Sequence, residues 1–322
     1  MVESSHKRVS IKERAFTVGG VVGINGYRVN KQTLKQRFAE EGGYQLHETP
    51  HFLLCTRAEA PKTVIIHWLA PEKVDADIGH YFMQELKPLG IFEQGPGFGD
   101  IFAAVLFSLS PYDIQRALRL YATNTLRRYR RLVMIEDSHT LRTSPMEKFS
   151  LLYRRICDLQ VGEHFLDAGC GYGFLPLIIA ERFPSFMKIL GIDIEANHFP
   201  VIRAIAEERQ LRNVHFAQAD LLASDFGSIG CFDTVVALHV LEHFTEADTY
   251  RVLANLLAVT AQRLIVAVPY EEGEPEQVYG HLQLFSQPKL KAVGEWCIQQ
   301  LAGAARMQYE DCVDGLLIIE RV

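Results

Sequence analysis

A short apolar strand that runs into a glycine-spaced turn constrains the fold of this chain more than any other feature. Residues 165–174 read FLDAGCGYGF. The acid Asp167 ends the strand, and glycines follow at alternate positions, namely Gly169, Gly171 and Gly173. Glycines at this spacing allow a sharp turn and leave no Cβ to block a ligand over the loop. Because a helical pattern follows, the segment predicts a strand–loop–helix unit with a ligand-binding turn.

The spacing of these glycines differs from that of dinucleotide-binding proteins. Their Gly-x-Gly-x-x-Gly fingerprint would place a third glycine at position 174, where this chain has Phe174. The observed Asp-x-Gly-x-Gly-x-Gly resembles motif I of class I S-adenosylmethionine-dependent methyltransferases. Taken alone, the turn is also compatible with an ordinary tight strand–helix connection, so the later segments decide between the two.

Further apolar strands follow the loop at regular intervals. They cover residues 188–194, 214–218, 232–237 and 263–268. Near-continuous apolar strands that alternate with helical stretches indicate a parallel sheet covered on both faces. We therefore predict an α/β domain over residues 160–322, and the resemblance implies a Rossmann-like, seven-stranded methyltransferase sheet.

The resemblance also implies S-adenosylmethionine as cofactor and assigns residues to it. Asp193 ends the second strand, where nucleoside-binding α/β units place an acid that accepts hydrogen bonds from ribose hydroxyls. Asp220 follows the third strand and would meet the exocyclic amine of adenine. The implied cofactor-binding residues are Asp167, Gly169, Gly171, Gly173, Asp193, Ile194, Asp220, Leu221 and His239.

Candidate catalytic groups follow the fourth and fifth strands, at the sheet edge where such folds bind their ligands. The fourth strand runs into the sequence HVLEH, which ends in Glu242 and His243, and His281 lies beyond the fifth strand. Two imidazoles and a carboxylate around one cavity can deprotonate a hydroxyl during methyl transfer. We therefore predict His243, His281 and Glu242 as catalytic, with Glu242 orienting one imidazole. The alternative is that Glu242 and His243 only orient the turn.

A divalent metal is a second interpretation of these side chains together with His239, because it would lower the pKa of an acceptor hydroxyl. The pattern is similar to the Glu-x-x-Glu-His plus distal His of metal-dependent small-RNA 2′-O-methyltransferases. His239 stands where that family has Glu, which favours an ion softer than magnesium. We expect the histidine base to act without a bound metal, because Leu-Glu-His is common in class I methyltransferases that hold no ion.

A narrower resemblance concerns the acceptor. Residues 266–285 resemble the C-terminal part of mycofactocin oligosaccharide methyltransferases, which O-methylate a glucose in a glycosylated redox cofactor. The resemblance implies O-methylation of a small molecule or saccharide. The alternatives are an RNA 2′-O-methyltransferase and a non-catalytic module that binds S-adenosylmethionine.

Composition excludes several classes of partner. The net charge of -6 gives no general attraction to polyanions, so a nucleic-acid substrate is not expected. No apolar stretch is long enough to span a bilayer, and no secretory signal is visible. The six cysteines are scattered without a CxxC pair, which predicts reduced thiols and a cytoplasmic location. The sequence does not indicate an oligomeric state.

The first half of the chain predicts three parts: a flexible tail (1–14), an N-terminal α+β domain (15–110) and a helical connector (111–159). The expected elements are a glycine-rich hairpin or bulged strand over 16–29, strands over 51–56 and 63–68, and helices over 31–41, 75–86, 112–133 and 145–159. The third of these helices carries six arginines between 116 and 131. They form either a solvated face or a contact surface for an anionic partner.

Overall fold

The computed structural model describes residues 11–60, 63–135, 144–311 and 313–322, and the chain divides into two compact units. The first unit is Met1–Arg127 and the second is Arg128–Val322. The boundary falls inside a long helix, Ile114–Val133. Most of the predicted tail lies outside the described residues, and its last four residues form a short 3-10 helix, Ile11–Arg14.

The first unit is built on a five-stranded mixed sheet. Its strands are β1 (Ala15–Val18), β2 (Val21–Asn25), β3 (Gln45–Glu48), β4 (Phe52–Thr56) and β5 (Thr63–His67). Their order is β1-β2-β5-β4-β3, in which β2 and β5 are parallel and the other neighbours are antiparallel. The predicted hairpin and the two predicted strands are confirmed, whereas the sequence analysis did not identify the exposed edge strand β3.

Helices α1 (Lys31–Glu40) and α4 (Phe98–Phe107) pack against the sheet of the first unit. Helix α1 begins at Asn30, whose side chain accepts a hydrogen bond from the backbone of Thr33, and it contributes buried apolar side chains to the core on β4 and β5. Helix α4 approaches β2 so closely that a Cβ on Gly23 would lie 2.1 Å from the carbonyl oxygen of Ala104. Glycine at position 23 therefore permits this contact.

The helix predicted over 75–86 is confirmed in part, because helical backbone begins at Ile78 and continues to Leu86 but changes type within that range. The structure has a short helix α2 (Ile78–Tyr81) followed by a π-helical turn, Phe82–Leu86. Within that turn Glu85 accepts hydrogen bonds from the backbone N–H of His51 (2.9 Å) and from its Nδ1 (2.5 Å). A local helical pattern cannot predict a contact between residues so distant in sequence. The remaining helices of this part are α3 (Ile91–Gln94) and α5 (Ile114–Val133).

The second unit has a seven-stranded sheet, which confirms the predicted α/β, Rossmann-like architecture. Its strands are β6 (His164–Ala168), β7 (Lys188–Asp193), β8 (Val214–Gln218), β9 (Phe232–Leu238), β10 (Thr260–Val268), β11 (Ala305–Asp311) and β12 (Gly315–Arg321). The order is β11-β12-β10-β9-β6-β7-β8. Strands β6 to β10 are parallel, and β12 is antiparallel to both neighbours.

Buried apolar residues of the central strands form the core of this sheet, and helices connect the parallel strands. Helices α7 (Phe174–Arg182), α8 (Phe199–Glu208) and α9 (Glu246–Val259) connect parallel strands, whereas α6 (Pro145–Leu159) precedes β6 and α10 (Gln287–Gln300) follows β10. The carboxyl ends of β6 to β10 meet at one edge, where the predicted site residues lie. No helix in the described ranges has both the length and the apolar composition needed to cross a bilayer.

Candidate active site

The three glycines of the loop after β6 have left-handed φ angles of 78°, 51° and 73° at Gly169, Gly171 and Gly173. A Cβ on Gly169 would lie 2.5 Å from Val240, and one on Gly173 would lie 2.3 Å from the ring of Phe216. A Cβ on Gly171 would meet nothing within 4 Å. Two of the glycines therefore permit packing of the protein on itself, and Gly171 presents its backbone to open space.

The peptide groups of Gly171 are held by two side chains. Its N–H donates a 2.7 Å hydrogen bond to Oδ2 of Asp193, and its carbonyl accepts one of 2.5 Å from Nε2 of His198. The His198 ring also stacks on Tyr172 with ring centroids 4.4 Å apart. The backbone N–H of Glu195 donates to the other oxygen of Asp193 at 2.9 Å. Each oxygen retains a second lone pair, so both can still accept hydrogen bonds from ribose hydroxyls.

Asp167 lies at the carboxyl end of β6 and is 3% exposed. Burial, reinforced by the negative charge of Asp193, raises the pKa of Asp167 to about 8. A buried carboxyl group in this condition favours a cation nearby, because a positive charge would offset the cost of its ionised form. This environment suits the cationic methionine portion of S-adenosylmethionine.

The residues predicted for adenine lie at the ends of β7 and β8. Oδ1 of Asp220 accepts a 2.8 Å hydrogen bond from the backbone of Leu222, and the carboxyl group is exposed. Leu221 is buried, whereas Ile194 is 62% exposed despite its apolar side chain. An exposed isoleucine after β7 and an exposed acid after the neighbouring strand β8 offer an apolar face and a hydrogen-bond acceptor, as a purine ring requires.

His239 occupies a left-handed backbone conformation, with φ of 52°, directly after β9. Its Nε2 donates to Oδ2 of Asp314 at 2.9 Å, and its Nδ1 lies 3.7 Å from Oε1 of Glu242. Its ring centroid lies 4.7 Å from that of Phe149. Burial alone would lower the pKa of His239, but the hydrogen bond to Asp314 and the charge of Glu242 outweigh it and raise the pKa. Both ring nitrogens therefore face carboxylates of the protein.

Glu242, His243 and His281 form the central cluster. One ligand atom from each side chain can be chosen so that all three lie within 4.8 Å of one another. The ring centroids of His243 and His281 are 4.9 Å apart, and the angle between the ring planes is 77°. Glu242 is 1% exposed, and neither of its carboxylate oxygens has a hydrogen-bond partner among the described residues. Burial raises the pKa of Glu242 to about 7.

The two imidazoles of the cluster are oriented through their Nδ1 atoms. Nδ1 of His281 donates to Oε1 of Glu271 at 2.7 Å, and Nδ1 of His243 donates to the carbonyl of Gly280 at 3.4 Å. With the proton on Nδ1, each ring leaves the lone pair of Nε2 free to accept a proton or bind a cation. Partial burial lowers the pKa of His243 and keeps that ring neutral near pH 7.

Sequence reasoning missed three residues of this arrangement: His198, Glu271 and Asp314. Glu271 follows β10 in the loop that leads to His281, so its position after a strand is a sequence signal for a place at the sheet edge. Asp314 comes from the turn between β11 and β12, and only the antiparallel end of the sheet brings it to His239. No motif marks His198.

Residues 165–263 match the family model described as a methyltransferase domain. A probable fatty acid methyltransferase from Pseudomonas putida is 29% identical over 136 residues, which cover 41% of this chain and 31% of that protein. A ubiquinone biosynthesis O-methyltransferase from Acinetobacter baylyi is 32% identical over 82 residues, covering 26% and 33%. The chain thus spans about a third of the length of these curated relatives.

Solved structures of similar fold include two methyltransferases. The small RNA methyltransferase HEN1 aligns with a TM-score of 0.46 at 15% identity, covering 53% of this chain and 24% of that one. The magnesium protoporphyrin IX methyltransferase from Synechocystis, solved with bound S-adenosylhomocysteine, aligns with a TM-score of 0.41 at 16% identity, covering 61% and 94%.

The family match shows a methyltransferase domain over residues 165–263, and this domain lies on the seven-stranded, Rossmann-like sheet with the glycine loop after β6. The match supports S-adenosylmethionine as the cofactor of this domain. The residues present fit that cofactor, since the open space over Gly171 and the environments of Asp167 and Asp193 match its shape and charge.

Proposed function

We propose that this protein transfers a methyl group to a hydroxyl oxygen of a small molecule or saccharide. The supporting observation is the pairing of His281 with Glu271 at 2.7 Å, next to the unpartnered carboxylate of Glu242. A carboxylate on Nδ1 fixes the tautomer and leaves Nε2 as a proton acceptor, which an alcohol needs before it becomes a good nucleophile. A module that only bound the cofactor would not need such a base.

The reaction assigns a separate task to each group of the cluster. When bound, S-adenosylmethionine supplies an electrophilic methyl group on a cationic sulfur. The acceptor hydroxyl would take that methyl group on its oxygen, and Nε2 of His281 would accept the hydroxyl proton. The carboxylate of Glu271 stabilises the resulting imidazolium. His243 accepts a hydrogen bond at its own Nε2, which helps to orient the acceptor hydroxyl.

Cofactor binding is proposed to follow the geometry of the sheet edge. Gly171 gives the methionine portion access to the backbone, and Asp193 accepts hydrogen bonds from the ribose. Asp220, Leu221 and Ile194 surround the adenine. We propose a supporting role for His239, because its two ring nitrogens face the carboxylates of Asp314 and Glu242.

A metal-assisted form of the same reaction is the second candidate. Ligand atoms of Glu242, His243 and His281 converge within 4.8 Å, and neither carboxylate oxygen of Glu242 has a hydrogen-bond partner among the described residues. Metal-ligating histidines usually have their other ring nitrogen held by a carboxylate or a carbonyl, as both rings do here. These three residues would hold the ion, which would lower the pKa of an acceptor hydroxyl.

The charge of the site favours a neutral acceptor over a nucleic acid. Carboxylates of Glu242, Glu271 and Asp314 lie in or beside the cluster, and the whole chain carries a net charge of -6. Phosphates would be repelled here. We also propose a reducing, cytoplasmic setting, since the five cysteines that the structure describes are free.

The test is incubation of the protein with methyl-labelled S-adenosylmethionine and fractionated cell extract. Label in small hydroxylated molecules or glycosides is the expected result. Label in an RNA fraction would replace the proposed substrate class with RNA. Cofactor binding without transfer to any fraction would support the non-catalytic alternative.

A further inference from the structure

Two large apolar side chains are exposed on either side of the predicted base. Tyr279 is 41% exposed and Leu282 is 59% exposed, whereas His281 between them is 9% exposed. The Tyr279 ring centroid lies 5.9 Å from that of His281. Single exposed apolar residues are ordinary on protein surfaces, but these two flank a buried site histidine in the sequence, and the Tyr279 ring lies beside that histidine.

The backbone that carries these side chains is fixed to the cluster. The N–H of Leu282 donates to the carbonyl of Glu242 at 2.8 Å, and Nδ1 of His243 donates to the carbonyl of Gly280 at 3.4 Å. Gly280 has a φ of 78°, so the kink between Tyr279 and His281 favours glycine. The position of the tyrosine relative to the imidazoles is therefore defined by hydrogen bonds of the site itself.

Two carboxylates, those of Glu271 and Glu276, lie near Tyr279. The loop from 271 to 276 contains Glu271, Glu272, Glu274 and Glu276. Partial burial, together with the nearby charges of Glu276 and Glu271, raises the pKa of the Tyr279 phenol to about 12. The phenol therefore remains neutral near pH 7.

An aromatic face beside carboxylate acceptors matches the chemistry of a neutral sugar ring. A pyranose presents C–H groups on its face and hydroxyl donors around its rim, whereas a phosphate-bearing ligand would be repelled by these acids. From this match we infer that Tyr279 and Leu282 form the acceptor shelf, on which a neutral pyranose ring stacks with one hydroxyl directed to Nε2 of His281. The shelf rests on the proposed O-methylation and names its substrate class.

The experiment separates binding from transfer. Saturation-transfer NMR in the presence of S-adenosylhomocysteine would measure binding of neutral glucose, galactose and mannose oligosaccharides to the full chain. At least one should bind, and Tyr279→Ala should weaken it by about fivefold to tenfold, whereas Tyr279→Phe should retain it. His281→Ala should retain binding but lose methyl transfer.

The outcomes distinguish the shelf from the proposed reaction. Equal sugar binding by wild type and Tyr279→Ala, or no binding of any of these sugars, overturns the shelf. Preferential binding of an RNA oligonucleotide that depends on Tyr279 overturns its assignment to saccharides. Tyr279-dependent sugar binding without methyl transfer overturns the proposed reaction but retains the shelf. Unchanged S-adenosylhomocysteine affinity in Tyr279→Ala shows that the cofactor site is intact.

Discussion

The carboxylate of Asp193 accepts a 2.7 Å hydrogen bond from the backbone N–H of Gly171, so the acid at the end of β7 holds the loop that follows β6. Two motifs that are more than twenty residues apart in sequence are therefore one structural unit. A substitution of the acid affects the loop as well as any ribose contact.

Replacement of Asp193 by alanine should weaken S-adenosylmethionine binding by about 2 kcal/mol or more, because it removes the ribose acceptors and releases the N–H of Gly171. Asp193→Asn retains one oxygen acceptor and should lose less. Isothermal titration measures both affinities. Glu207→Ala, which removes an exposed acid on α8, is the matched control. Affinity in Asp193→Ala equal to that of the control would remove Asp193 from the cofactor site.

Binding of S-adenosylmethionine should strengthen as pH rises from 6 toward 8, because Asp167 must lose its proton to oppose the cofactor's positive charge. Its pKa of about 8 means that the free protein holds this proton at neutral pH. Below that pKa, the affinity should rise by up to about tenfold for each pH unit. Titrations in buffers of different ionisation enthalpy would measure the released proton.

Asp167→Asn isolates this contribution from other groups that titrate in the same range, including Glu242, whose pKa is about 7. The variant should bind more weakly near pH 8 and show a smaller pH dependence than the wild type. An identical pH dependence of affinity in the two proteins would show that Asp167 does not interact with the cofactor's charge.

The sequence predicted the parts of the site that depend on local patterns and strand order. The loop at Gly169 to Gly173 follows from glycine spacing, and the sheet edge follows from apolar strands that alternate with helices. The partners of the imidazoles did not follow, because Asp314 reaches His239 across 75 residues of sequence. Such contacts depend on tertiary packing, and no periodicity within one segment encodes them.

Substitution of His281 by alanine should lower turnover by about 100-fold or more while cofactor binding is retained. Glu271→Gln keeps an oxygen that can accept from Nδ1 but loses the charge that stabilises the imidazolium, so an intermediate loss of about tenfold is expected. Wild-type turnover in His281→Ala would reject both the base and the metal candidates.

Treatment with a chelator decides between the two forms of the proposed reaction. We expect turnover to survive, because the Glu271–His281 pair can act as a base without an ion. In that case Glu242→Gln should be milder than His281→Ala. Loss of activity in chelator, restored by a divalent ion and accompanied by equal damage from the two substitutions, would establish the metal site at Glu242, His243 and His281. Atomic absorption on the purified protein is an independent measurement.

The first unit should lose stability in mild acid because of His67, which is fully buried. Its Nε2 lies 2.9 Å from Oγ of Ser108, which itself donates to the carbonyl of Val105, so the ring donates through Nε2. Nδ1 has no hydrogen-bond partner among the described residues. Burial lowers the pKa of His67 to about 3. Protonation of this ring therefore favours the unfolded chain.

The direction of this pH effect depends on whether the folded or the unfolded chain binds the proton. Between the pKa of an unfolded histidine, about 6.5, and the depressed folded value, only the unfolded chain is protonated, so the free energy of unfolding falls as pH falls. At pH 5.5 the expected loss is about 1.4 kcal/mol relative to pH 7.5. Urea unfolding followed by Trp68 fluorescence at both pH values would measure it. His67→Gln removes the titration and should lack this component, so an unchanged pH dependence in that variant would contradict the assignment to His67.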